Sequence, residues 1–141
     1  MFTDIIIYLN AALVGSMIFF VSVVSPSVFS ILKNDDSSKF LRTIFPRLFF
    51  FGFVLSAISA LISILSKNHL EFYSLLVISF LFILNRNFIT PRINFYRDKE
   101  NLGDINAKKY FKLLHLISVL LFITNFLILI LLLLNNLIDF I

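Results

Sequence analysis

The sequence predicts an all-α integral membrane protein, a four-helix bundle with both chain termini on the non-cytoplasmic side of the bilayer. Three observations carry that expectation. The 141 residues are 60% hydrophobic and only 14% charged, against about 25% charged in an average soluble domain. A soluble fold of this length has too little interior to hide so much apolar surface, whereas lipid accommodates it. Charges then divide the chain into four long uncharged runs, and the basic residues collect in two of the three connections.

Between Asp4 and Lys33 lie 28 uncharged residues, between Arg47 and Lys67 19, between Glu71 and Arg86 14, and between Lys112 and Asp139 26. A helix needs about 20 mainly apolar residues to cross the hydrocarbon core. The first and fourth runs meet this alone. The second does so once extended back to about Arg42, and the third once extended to Pro91, which leaves Arg86 near its end. Spans are therefore expected at about 5–32, 43–65, 72–91 and 113–138, within a single domain covering 1–141. The first run has no basic residue before it and no small-x-small cleavage pattern after it, so it reads as a membrane helix rather than a cleaved signal peptide.

Orientation follows from the tendency of Lys and Arg to stay in cytoplasmic loops. The first connection and its flanks carry Lys33, Lys39, Arg42 and Arg47. The third carries Arg86, Arg92, Arg97, Lys99, Lys108, Lys109 and Lys112. Lys67 alone lies on the other face, so eleven of the 12 cations share one side. Loops 33–42 and 92–112 are thus expected to be cytoplasmic. Tyr8, Tyr73, Tyr96 and Tyr110 stand at or beyond span ends, where amphipathic rings favour the interface. Heavy use of residues with AT-rich codons suggests a bacterial source and hence a multi-pass protein of the inner membrane.

The Asp35-Asp36-Ser37-Ser38 run is rich in N-cap residues, and Phe40, Leu41 and Ile44 follow, a pattern for a short interfacial helix before the second span. Pro46 then falls in the first turn of that span, where a missing N–H does no harm. Pro26 removes the hydrogen bond to the Ser22 carbonyl and should bend the first helix. Pro91 should end the third span, and the long loop should run through Gly103 to Asp104, a candidate N-cap for the fourth helix.

Lipid tails are as apolar as leucine, so membrane helices associate through small residues and hydrogen bonds. Gly52, Ser56, Ser59, Ser63 and Ser66 form one face of the second helix, read as a helix–helix seam or a polar path. The phenylalanines read as lipid-facing bulk on the remaining faces. On the fourth helix His115, Ser118, Phe122 and Asn125 fall within about 80° of one another at 100° per residue. At the same depth lie Ser22, Ser25 and Pro26 from helix one, Phe45 and Pro46 from helix two, and Asn85 and Arg86 from helix three. This polar cluster has three readings. It is a structural network in which His115 bonds Asn85 or Ser25, a site for a small solute, ion or headgroup opening to the cytoplasm, or a metal or haem site. For the last, one histidine without a second His, Cys or carboxylate ligand is poor coordination chemistry. Arg86 has its own simple reading, a side chain reaching for the headgroups.

With no cysteine there is no disulfide, thiolate metal site or thiol nucleophile. The three glycines are scattered, and no serine–histidine–acid set or paired intramembrane carboxylate occurs. Nothing catalytic is assigned, no cofactor is expected, and the short basic loops lack an aromatic groove for nucleic acid.

Four pieces of the chain carry a resemblance: Phe20-Val21-Ser22 leading to Pro26 and Phe29; Phe45-Pro46; Asn85 with Pro91-Arg92; and Phe111, His115 and Ser118. Together they span roughly 11–129, and in that order the chain resembles the family of transmembrane protein 205 and its bacterial relatives, the domain of unknown function 4149. The resemblance implies the four-helix membrane fold and the same cluster, with no reaction attached. Animal members have Asn where Phe122 stands here, while this chain has Asn125 about one turn later. A more distant likeness to the copper-resistance D type and the HemJ-type protoporphyrinogen oxidase implies haem, although the helix-one histidine of such a relative is missing here.

Three functions are consistent with these residues. The first is a non-enzymatic membrane protein that handles a small solute or ion, or supports a membrane complex. The second is a haem- or porphyrin-associated oxidoreductase using His115 and Arg86. The third is a scaffold whose basic loops hold anionic lipid headgroups. Oligomeric state is open to either a monomer or a homo-oligomer.

Overall fold

The computed structural model describes residues 1–138; Asp139, which bounds the fourth uncharged run, lies outside them. Four helices account for nearly all of the described chain: α1 (Phe2–Ile31), α2 (Asn34–Leu65), α3 (His69–Asn101) and α4 (Ile105–Ile138). Each is long and apolar enough to cross a membrane, and no strand occurs among the described residues. The protein is a multi-pass membrane protein folded as a four-helix bundle.

Tight connections at Leu32–Lys33, Ser66–Asn68 and Leu102–Asp104 make the helices alternate in direction. The N-terminus, the described end of α4 at Ile138 and the turn at 66–68 therefore lie at one end, and the two Lys/Arg-rich connections lie at the other, here the basic end. The helices run 30 to 34 residues, or about 45–51 Å at 1.5 Å per residue. A hydrocarbon core of about 30 Å covers only part of that length. The polar turns Asn34–Arg42 of α2 and Arg92–Asn101 of α3 are the surplus, and both belong to the basic end.

Several expectations about local structure are corrected. Residues 92–112 are not a loop: α3 continues to Asn101, and α4 resumes at Ile105. No separate interfacial helix precedes the second span, because α2 is continuous from Asn34, so Pro46 sits in its interior. Pro91 does not end the third helix. The reason is common to α1 and α3. Each opens into a π-helical turn just before its proline, at Phe20–Val24 and at Asn85–Ile89. In these turns Ser25 N–H donates to the Phe20 carbonyl and Thr90 N–H to the Asn85 carbonyl, five residues back. The one-residue surplus absorbs the proline, and the helix continues. Thr90 Oγ1 also donates to the Asn85 carbonyl at 2.8 Å.

Tertiary contacts hold the polar turns of α3 helical. Tyr96 stacks on Tyr110 of α4 with centroids 5.1 Å apart, and the Arg97 guanidinium lies 4.9 Å from the Phe111 ring centroid. The hairpin then turns through Gly103, whose φ of 94° is the left-handed conformation glycine adopts without strain. Gly103 N–H donates to the Glu100 carbonyl and Asp104 N–H to the Lys99 carbonyl, a Schellman closure of α3. Asp104 Oδ1 accepts from the N–H groups of Asn106 and Ala107 at 2.9 and 3.2 Å, so it caps α4 as expected.

The α2–α3 pair is the tightest part of the bundle. Gly52, Ser56, Ser59 and Ser63 are all buried. Ser56 and Ser79 hydroxyls bond across the seam at 2.8 Å, and the buried Phe82 ring lies over Gly52. The serine face of α2 is thus a seam. The core continues through Ile6, Leu13, Met17, Leu75, Ile78 and Leu129.

Candidate functional site

At the basic end the bundle separates. The backbone of α1 leaves α4 at the π turn, so its last turns, Ser25–Ile31, approach only α2. The polar turns of α3 follow α4 instead. Between these two groups lies a cleft of about 930 Å³, within the range of small-molecule sites.

Its floor is aromatic and aliphatic: Met17, Phe20, Phe45, Phe49, Phe122 and Phe126. Phe20 meets Phe45 edge-on at 5.1 Å, Phe45 stacks on Phe49 at 5.8 Å, and Phe49 touches both Phe82 and Phe122 at 6.4 Å. Its mouth is polar, with Asn34, Ser37, Ser38, Arg42, Asn94, Arg97 and His115. The eleven-residue separation of His115 and Phe126 corresponds to about 16 Å of helix, which sets the depth. Ile18, Val21, Val119 and Ile123 line the cleft yet remain 39–56% exposed, so it also opens sideways between α1 and α4.

The cluster expected from sequence is divided by the fold. Asn85 and Ser118 pair reciprocally: Ser118 Oγ donates to Asn85 Oδ1 at 2.8 Å, and Asn85 Nδ2 donates to the Ser118 carbonyl at 3.0 Å. Both are buried, and the pair ties α3 to α4. His115 bonds neither Asn85 nor Ser25. It is exposed in the cleft mouth and stacks on Phe111 at 6.0 Å and 13°, in a column that continues to Arg97. Its ring nitrogens have no hydrogen-bond partner among the described residues, because the only buried amide at that depth is already used by Ser118. Ser22 and Ser25 line the cleft, with the Ser22 hydroxyl donating back to the Ile18 carbonyl at 2.7 Å. Asn125 lies deeper, in the core, where its Oδ1 has no partner among the described residues. Arg86 faces away from the cleft, over the Phe50 ring at 4.7 Å.

Other residues enter the site that sequence periodicity assigned elsewhere. Phe49 and Phe126 on the floor are not lipid-facing bulk, since which face of a helix meets a neighbour depends on the packing. Arg42 Nη2 donates to Asp98 Oδ1 at 2.6 Å and clips α2 to α3 beside the mouth, while Arg97 pairs with Glu100 at 3.0 Å. At the opposite end a buried carboxylate stands out. Glu71 is 1% exposed; Asn136 Nδ2 donates to its Oε1 at 2.7 Å and Asn68 Nδ2 to its Oε2 at 3.4 Å. The Asn68-x-x-Glu71 spacing of a capping box was the available signal, and Glu71 N–H does donate to Asn68 Oδ1. Asn10 and Ser59 are also buried, with side-chain atoms that lack partners among the described residues. No group of three or more His, Cys, Asp or Glu side chains converges among the described residues.

No curated protein and no solved structure matches the chain. A family model does, over residues 8–101, which takes in α1 from Tyr8, all of α2 and α3, and both π turns. On that match the chain belongs to the family described as Domain of unknown function (DUF4149).

Proposed function

We propose that this is a non-enzymatic membrane protein that binds an amphipathic small molecule in the cleft between α1 and α4. One observation carries the reading: a cavity with an apolar floor, a hydrogen-bonding mouth and a sideways opening to lipid. An apolar tail is matched by Phe45, Phe49 and Phe122, and a small polar head by His115 with Ser37, Ser38 and Asn94. His115 is the natural head contact because its nitrogens are uncommitted and it stands at the mouth. The cation asymmetry supports a basic end in the cytoplasm of a bacterial inner membrane, with both termini outside. Binding then draws on the cytoplasmic leaflet. Reporter fusions check that orientation: phosphatase activity at both termini is the expected result, and cytosolic fluorescence from either overturns it.

A fluorescent fatty acid titrated into the purified full chain tests the cleft. Saturable binding is expected. Val119→Trp, which projects a large ring from a partly exposed cleft position, should weaken it by about tenfold or more, ~1.4 kcal/mol. His115→Ala should weaken it by about fivefold, the worth of one hydrogen bond. Unchanged affinity in Val119→Trp would put the ligand elsewhere. The haem reading is favoured by the same histidine in the same cavity. Haemin in place of the fatty acid decides between them, since a Soret shift lost in His115→Ala belongs to haem ligation alone.

A further inference from the structure

A second basic feature shares no residue with the cleft. Arg47 of α2 and Arg86 of α3 line one groove of about 330 Å³, walled by Pro46, Phe50, Phe51 and Val54. Phe50 and Phe51 are 46% and 45% exposed, so this surface of the bundle meets lipid. The Arg86 guanidinium is held over the Phe50 ring at 4.7 Å, which orients it without neutralising it. Neither arginine meets a carboxylate among the described residues, whereas Arg42 and Arg97 are paired with Asp98 and Glu100.

The two cations stand at one level. Arg47 precedes Leu65 by eighteen residues and Arg86 follows His69 by seventeen, across the short Ser66–Asn68 turn. At 1.5 Å per residue they lie about 27 and 26 Å from that turn. With the polar turn at one face of a hydrocarbon core about 30 Å thick, both guanidinium groups reach the other face, where lipid phosphates begin. Uncompensated arginine at that level needs an anion, and a guanidinium fork suits phosphate.

We propose that this groove is a binding site for the phosphate headgroup of an anionic phospholipid, with an acyl chain lying along Phe50, Phe51 and Val54. The lateral, apolar setting selects a lipid over free phosphate. The two unneutralised cations select an anionic headgroup over a zwitterionic one. The site is independent of the amphiphile cleft and would stand if that reading failed.

Native mass spectrometry of the full chain, released from micelles containing phosphatidylglycerol and phosphatidylcholine, tests the site. The unsubstituted protein should retain phosphatidylglycerol in preference. The double variant Arg47→Gln, Arg86→Gln should lose about thirtyfold in affinity, from about fivefold for each cation. Lys108→Gln with Lys109→Gln, which removes two loop charges, should change retention by less than about fivefold. If the double variant fails to fold, Arg47→Gln alone suffices because Arg47 is exposed, and it should lose about fivefold. Retention unchanged in the arginine variants, an equal loss in the lysine variant, or displacement of the lipid by inorganic phosphate would each overturn the proposal.

Discussion

Gly52→Ala is expected to lower the stability of the bundle by about 1–3 kcal/mol, the usual cost of overpacking a filled core. A methyl group there would lie 2.7 Å from the ring of Phe82, closer than carbon atoms approach. The ring has little room to yield, being buried and in contact with Phe49 at 6.4 Å. Thermal unfolding of the purified protein measures the loss. Pairing the change with Phe82→Leu should recover part of it, giving a coupling of opposite sign to the single effects. A Gly52→Ala protein as stable as the unsubstituted one would mean that α2 and α3 are not in the close contact described.

Asn136→Leu is expected to cost a similar amount, about 2–3 kcal/mol, by a different route. It removes the 2.7 Å donor to Glu71 Oε1 and strips that buried oxygen of its bond, while Oε2 keeps only the long Asn68 contact, and a buried acceptor left unsatisfied costs its full desolvation. Glu71→Gln should be mild, within about 1 kcal/mol, because the carbonyl of the new amide still accepts from Asn136. The order of the two variants in a thermal series is the informative result. Equal stability for Asn136→Leu and the unsubstituted chain would show that α4 does not hold Glu71.

Much of this architecture was legible in the residues. The helix count follows from four uncharged runs, and the Asp104 cap follows from a side chain whose oxygen has only local donors to find. The serine stripe of α2 was legible as a face, because 3.6-residue periodicity is local. Pro91 was misread as a helix end for a physical reason. A π turn at Asn85–Ile89 or Phe20–Val24 has no residue signature of its own, and it lets a helix pass a proline that a regular α-helix would not. The length of α3 beyond Pro91 depends on Tyr96 and Arg97 finding Tyr110 and Phe111, contacts between helices rather than within one.

The candidate site shows the same division. Position along each helix was readable, so His115, Ser118, Ser22 and Ser25 were expected at one level; all four line the cleft. Which of them face one another was not. Arg86 and Asn85 are adjacent in sequence, yet one looks out at Phe50 and the other in at Ser118. By itself the sequence determined that the chain is a four-helix membrane protein with its cations gathered at one end, because hydrophobicity and charge act on each segment separately. Only the tertiary structure decided that α1 parts from α4 to open an aromatic-floored cleft and that Arg47 and Arg86 share a groove with the exposed Phe50 and Phe51. Those outcomes depend on helix rotation and separation, which side chains from distant segments set together.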